Sequence, residues 1–274
     1  MSISILNIKK FQQEIWAFYQ KNGRLFDWRH TEDPYKVVVS EIMLQQTQTH
    51  RVAQKFPAFI NAFPSFESLA NASLHEVLFY WQGLGYNRRG MYLHQIAKKV
   101  LYEFNGILPN DPDILVTFPG LGKATAASIC AFAFNTPTVF IETNIRAVFI
   151  YFFFADTKDK VHDKDIEPLV SQTVDKDHAR DWYYALMDYG VHLKKTTINP
   201  SRKSKHHYTQ SKFEGSNRQI RGLILKKLLE SPSPIKQQIL IKALDKEEER
   251  VQKILEELCL EKLIIKQNDS YSIA

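Results

Sequence analysis

The chain has 274 residues, of which 44% are hydrophobic and 24% charged, enough for one large domain or two ordinary ones with a real core. A net charge of +6 permits a polyanionic partner without specifying one. The composition excludes a membrane span, since no stretch approaches the roughly 20 apolar residues one needs. It also argues against a disulfide scaffold, since Cys130 and Cys259 lie far apart without a pairing pattern. No small-residue cleavage site follows a long apolar core at the N-terminus, so no signal peptide is read and a soluble cytosolic chain is expected.

Helical periodicity dominates residues 1 to 195. Ile5, Ile8, Phe11, Ile15 and Phe18, with Trp16, recur at three- and four-residue steps. Asp33 suits an N-cap and Pro34 the first helical position of the next helix. Further helices are predicted over 65–72, 74–81, 88–105, 111–117, 123–134, 143–154, 165–174 and 178–190, with no alternating strand pattern before residue 260. From Lys194 to Lys227 there are ten Lys or Arg against one acid, Glu214, and 194–215 reads as a basic linker or arm. Ser216 and Gln219 form a capping-box pattern opening a helix over 217–230. "SPIKQQILIKAL" and "KEEERVQKILEELCLE" give two more helices, and "KLIIKQNDSYSIA" a hairpin turning at Asn268-Asp269. Three helices and a hairpin suggest a winged-helix-like α+β unit over 216–274, after a first domain over 1–193.

Four stretches could carry chemistry. In "SEIMLQQTQ", Glu41 follows three valines, and on a helix Glu41, Leu44, Gln45 and Gln48 would share a face. Desolvation there would raise a carboxyl pKa towards the range of a general acid. Spacing alone more often reflects an acid at the edge of a buried helix, paired with a base. In "FPGLGKATA", Gly120 and Gly122 can take positive φ and leave N–H groups exposed at a helix start, beside Lys123, which suits a phosphate. A simple helix–helix turn fits as well. In "WQGLGYNRRG", Tyr86 could stack on bases while Arg88 and Arg89 face phosphate, or the segment could be a solvated loop. In "VFIETNIRAV", Glu142 sits between an apolar run and a helix-like stretch, where a solvated helix-start acid is the commoner case.

"FDWRHTEDPYKVVVSEIMLQQTQ", "GLGY", "FPGLGKATA" and "IETNIRAV" together resemble the helix-hairpin-helix DNA glycosylases, and the first resembles most the MutY-type adenine glycosylases. The resemblance covers roughly residues 8 to 192. It implies an all-α, two-lobed glycosylase fold with a central lobe at about 30–140, gripping double-stranded DNA and flipping the target nucleotide out of it. It further implies a monofunctional base-excision enzyme, acting as a monomer on adenine opposite 8-oxoguanine or guanine. Such a protein would be bacterial- or archaeal-type and associated with the nucleoid. By this resemblance Glu41 protonates the departing base and handles the water, and Gln45 and Gln48, with Leu44, probe the flipped base and fill the duplex. Tyr86 wedges beside the opposing base, Gly120, Gly122 and Lys123 hold a phosphate, Asn144 neighbours the second carboxylate, and Arg29 and Arg88 join the DNA-binding set.

The chain departs from the family at several points. Glu142 stands where the superfamily places an aspartate that stabilises positive charge on the sugar, and the added methylene could displace that charge. Ala124 occupies the position of the Schiff-base lysine of bifunctional members, so lysine-dependent lyase chemistry is not expected. Iron–sulfur members end this domain with four closely spaced cysteines, which this chain lacks, so no cluster is expected. His192, His206 and His207 make a poor zinc set without cysteines or nearby carboxylates, so no metal is expected. The 194–221 stretch is instead expected to contact phosphate. The C-terminal 58 residues are too few for the 8-oxoguanine-reading domain common in MutY-type enzymes. In "DKEEERVQKILEELCLEK" seven acids face four bases, which disfavours the third helix as a major-groove reader. Arg218 and Arg221 of the first helix are the better DNA contacts, and a protein-docking role for this unit fits equally. Two alternatives stand beside adenine excision: a thymine or uracil mismatch glycosylase, and a catalytically weakened damage-binding protein.

Overall fold

The computed structural model describes residues 4–274, so residues 1–3 and the Ile5 side chain of the first predicted helix lie outside the described residues. Helix α1 (Ile5–Asn22) opens behind Ser4, whose hydroxyl accepts from the Asn7 N–H. Helix α2 (Pro34–Leu44) follows Asp33, whose Oδ1 accepts from the Tyr35 N–H at 2.9 Å, so the cap and the leading proline fall where the sequence puts them. Helices α3 (Thr49–Ala62), α4 (Phe66–Asn71), α5 (Leu74–Trp81) and α6 (Arg88–Glu103) come next, with Ser65 and Ser73 closing capping boxes on α4 and α5. Then follow α7 (Pro112–Leu115), α8 (Lys123–Phe134), α9 (Thr143–Phe153), α10 (Asp163–Thr173) and α11 (Ala179–Thr196).

Helix α11 runs six residues past its predicted end at 190. Leu193 is buried and continues the apolar face, while Lys194 and Lys195 lie in the last turn, where cations oppose the helix dipole. The basic stretch therefore begins inside a helix. Beyond it, a 3-10 turn (Pro200–Lys203) is tied down rather than free. The Val161 N–H donates to the Lys203 carbonyl and the Lys205 N–H to the Val161 carbonyl, both at 2.9 Å, and the Lys203 amine reaches the Ala155 carbonyl.

The C-terminal elements are α12 (Asn217–Glu230), β1 (Ile235–Lys236), α13 (Gln237–Leu244), α14 (Glu248–Leu260), β2 (Ile264–Gln267) and β3 (Ser270–Ile273). The strands form an antiparallel sheet in the order β1-β3-β2, with the turn at Asn268-Asp269 as predicted. Strand β1 was not foreseen, because two residues cannot show alternation; Ile235 pairs with Tyr271. The capping box of α12 is also altered. The Ser216 hydroxyl accepts from the Gln219 N–H, but the Gln219 side chain accepts from the N–H of Gly215 instead of that of Ser216.

Two compact units emerge. The first combines the chain up to Glu41 with Pro109–Thr209, and the second combines Ile42–Leu108 with Gln210–Ala274. The first is cored by Phe11, Ile15, Phe149, Trp182, Tyr183 and Leu186. In the second, Leu78 of α5 and Met91 of α6 share one apolar cluster with Ile220, Ile224, Leu228, Val251, Leu255 and Tyr271. That shared cluster is why the compact units do not follow a linear division at 193 and 216, nor a lobe at 30–140. Among the described residues no helix is long and apolar enough to cross a membrane.

Candidate active site

The first unit brings two carboxyls into each other's field. Glu41 lies near the end of α2, and its Oε2 is 2.5 Å from Ser128 Oγ of α8. Burial lifts its pKa to about 7; the negative charge of Glu142 adds to the rise, while the Ser128 hydroxyl and Arg29 oppose it. Ser128 Oγ is also 3.1 Å from the Thr125 carbonyl. A protonated Glu41 can therefore donate to Ser128, whose hydroxyl then donates onward to that carbonyl. Glu41 is thus placed to carry a proton near neutral pH.

Glu142 is the N-cap of α9. Its Oε1 accepts from the backbone N–H groups of Asn144 at 2.6 Å and Ile145 at 2.8 Å, and its Oε2 from Asn144 Nδ2 at 3.2 Å. The longer glutamate side chain folds back onto the start of its own helix, where N–H groups and the dipole favour an anion. Burial raises its pKa, while those two N–H groups, Lys194 and Arg146 pull the other way. Glu41 has one hydroxyl partner, a negative neighbour in Glu142 and a positive one in Arg29. Glu142 has three N–H donors and two positive neighbours, which favour its charged form against the effect of burial.

Helix α11 holds this arrangement through Gly190. A Cβ on Gly190 would lie 2.4 Å from the Asn144 carbonyl oxygen and 2.7 Å from its carbonyl carbon, so only glycine lets α11 approach the start of α9 this closely. Gly190→Ala is expected to cost about 1–3 kcal/mol by overpacking, read as a lower denaturant midpoint at unchanged slope. An unshifted midpoint would show that the two helices can separate at no cost.

Arg29 requires correction as a DNA contact. Its side chain is 5% exposed and makes a bidentate pair with buried Asp188 at 2.9 Å, stacked over Tyr184 at 4.5 Å. It faces the interior, where its charge bears on Glu41.

The glycine turn before α8 is partly as expected. Gly120 has φ +76°, but Gly122 has φ −85° and serves as the N-cap, so one glycine of the two needs the left-handed region. Leu121 is buried and anchors the turn, while Gly122, Lys123 and Ala124 are exposed at the start of α8.

In the second unit, the helix expected to carry Leu44, Gln45 and Gln48 on the face of Glu41 stops at Leu44. Gln46 takes φ +54°, and exposed Gln48 becomes the N-cap of α3. Arg89 explains the break. Its buried guanidinium donates to the carbonyls of Ile42 (2.8 Å), Met43 (3.0 Å) and Gln45, satisfying the end of α2. It donates as well to Leu84 (3.2 Å) and Gly85 (3.0 Å), tying the 45–48 turn to the GLGY loop. Arg89 is thus a structural hub and not a phosphate contact.

Tyr86 has φ +48° and is 37% exposed, with its hydroxyl accepting from Arg218 Nη1 at 3.1 Å and from Gln210 Nε2. Arg88 and Arg221 both pair with Glu261, and Arg221 also with Glu257 at 3.4 Å. Those two arginines bind the C-terminal helices to α6 through Glu261. No described group of three or more His, Cys, Asp or Glu residues is arranged to hold a metal ion. The donors do not fit a four-thiolate cluster either: the chain has two cysteines, one in each compact unit, and burial lifts the Cys130 thiol to about 11.

Residues 39–172 match the model of the HhH-GPD superfamily base excision DNA repair proteins. The matched segment is an HhH-GPD domain. The chain is similar to the adenine DNA glycosylase of Buchnera aphidicola subsp. Baizongia pistaciae, at 34% identity over 66% of this chain and 52% of that protein. It is also similar to the human adenine DNA glycosylase, at 32% identity over 72% of this chain and 38% of that protein. The chain spans about half the length of the curated relatives it matches. A solved thermostable thymine-DNA glycosylase matches with a TM-score of 0.62 and 26% identity, covering 68% of this chain and 86% of that one. The chain thus has a mostly helical HhH-GPD glycosylase fold, with Glu41, Glu142, Asn144 and the glycine turn all inside the matched segment.

Proposed function

We propose that the protein is a monofunctional DNA glycosylase that hydrolyses the N-glycosidic bond of adenine opposite 8-oxoguanine or guanine. One observation carries the mechanism: two carboxyls lie in each other's field, Glu41 with its pKa lifted to about 7 and Glu142 held by three N–H donors at the start of α9. Glu41 gives its proton to the departing base as the C1′–N bond breaks, Glu142 faces the positive charge that develops on the sugar, and water bonds through its oxygen to C1′ and returns a proton to Glu41. The similarity to adenine glycosylases supports the choice of base. Ala124 offers no amine at the start of α8, which supports hydrolysis over lyase chemistry. The exposed Gly122–Ala124 turn suits a phosphate, and Tyr86 with Arg218 suits the opposing base. The C-terminal helices and hairpin are read as a winged-helix-like unit that contributes Arg218 beside Tyr86 to DNA binding.

The test is single-turnover release from duplexes holding adenine opposite 8-oxoguanine, guanine or cytosine, and thymine or uracil opposite guanine. Release of adenine from the first two supports the reading. Release of thymine or uracil alone replaces it with a mismatch pyrimidine glycosylase, and release from none leaves a damage-binding protein. The same reading has the protein work without an iron–sulfur cluster. Purified protein is expected to carry no stoichiometric iron and no visible charge-transfer band, and about four iron atoms per chain would refute this.

A further inference from the structure

Lys194 falls in the basic stretch that the sequence assigns to phosphate, yet its amine points inward. Nζ donates to Asn144 Oδ1 at 2.8 Å, and Asn144 Nδ2 donates to Glu142 Oε2 at 3.2 Å. An ammonium has donors and no acceptor, so it fixes which end of the Asn144 amide faces it. The amide oxygen must turn to Lys194, and its NH2 then faces the Glu142 carboxylate. Lys194 lies one helical turn after Gly190 on α11, so one face of that helix both seats the Asn144 backbone and orients its side chain.

We propose that Lys194 is a positioning residue for Glu142, acting through Asn144 to fix the carboxylate's geometry and to favour its charge. This rests on the glycosylase reading above. The groups facing Glu142 can be named from each element packed there. Helix α2 presents Glu41, an anion when ionised. Helix α9 presents Asn144 and Arg146, and α11 presents Lys194. Arg146 is already matched by Asp163 of α10, with contacts of 2.6 and 2.7 Å, and His206 lies 4.0 Å from that same aspartate. From the segment after α11, Ser201 Oγ donates to the Thr143 carbonyl at 3.2 Å and brings no charge. Lys194 is therefore the cation whose charge is left to serve Glu142. Burial lowers its own pKa and the Glu142 charge raises it, the mark of a pair that shares a site.

The test compares wild type, Lys194→Met and Lys194→Arg. Lys194→Met keeps the stem and loses the charge. It is expected to slow single-turnover adenine release on the order of 10²-fold, the scale of a displaced catalytic group, with duplex affinity within about twofold of wild type. Lys194→Arg keeps the charge and is expected to recover part of the rate. Without the ammonium, Glu142 ionises at higher pH, so the acidic limb of the pH–rate profile moves up in Lys194→Met. A rate loss matched by an equal affinity loss and a smaller salt slope overturns the proposal in favour of a phosphate contact. Carbon-13 NMR titration of the labelled Glu142 carboxyl needs no turnover and separates the two readings. If wild type releases no base, the glycosylase reading fails, while an upward shift of the Glu142 titration in Lys194→Met still upholds the pairing. An unchanged titration overturns it whatever the activity.

Discussion

Glu41→Gln is expected to lower single-turnover base release on the order of 10³-fold while leaving duplex binding intact, because it removes the transferable proton and nearly preserves the shape. The same substitution is expected to stabilise the protein at high pH. The folded-state pKa of Glu41 stands at about 7 against an ordinary value of 4.5. Between those values the folded protein holds a proton that the unfolded chain has released, so stability falls as pH rises through this window. By pH 8 the wild type carries the full cost of an ionised, half-buried Glu41, and the glutamine variant does not. The variant should therefore melt above wild type at pH 8, by a margin that shrinks towards pH 4.5. A shift of equal size at both pH values would mean that Glu41 is not raised, and base release at the wild-type rate would remove it from the mechanism.

Asp188→Ala is expected to destabilise the fold by about 3–5 kcal/mol, the range for breaking one side of a buried ion pair. Asp188 accepts from the Arg24 N–H at 2.7 Å, Arg24 Nε at 2.6 Å and both Arg29 terminal nitrogens at 2.9 Å. Removing it leaves the interior Arg29 guanidinium without its carboxylate. These arginine contacts hold the Asp188 carboxyl below its usual range against the effect of burial. Its contribution is therefore full above the ordinary aspartate value of about 3.9 and is lost as pH falls through the lower folded value. Denaturant unfolding at pH 7 and near pH 2 checks both statements. A variant gap that is small at pH 7, or unchanged in acid, would show that Asp188 does not hold this corner together.

Most helices were legible because their start signals are local. Asp33-Pro34, Ser65 and Ser73 act within four residues, and an apolar period of 3.6 survives in α1, α6 and α10. The two carboxylates were legible as motif positions, since each sits beside residues of a recognisable run. What escaped was long-range. Ser128 lies 87 residues from Glu41, and Lys194 lies 50 from Asn144. Arg88 and Arg89 are adjacent and alike in sequence, yet one meets Glu261 while the other enters the interior to end α2, a difference set by helical phase. A faint signal did exist for two of the missed residues. Asp188 is a lone acid in the apolar run "YYALMDYG", and Gly190 stands one helical turn before Lys194. Composition masked the second, because a lysine-rich stretch reads as solvated whether or not one of its members turns inward.

The glutamate at 142 finds a physical account in the same geometry. Its extra methylene lets the carboxylate curl back to its own helix start and still meet the Asn144 amide. The charge is held by the donors around it, so the substitution is compatible with a working site.

The most direct test is the single-turnover rate of adenine release by the unaltered protein from an adenine·8-oxoguanine duplex, measured from pH 5 to 9. A proton on Glu41 and a charge on Glu142 predict measurable release that falls as pH rises through about 7. No release at any pH, or a rate that climbs steadily with pH, would contradict the division of labour between the two carboxyls.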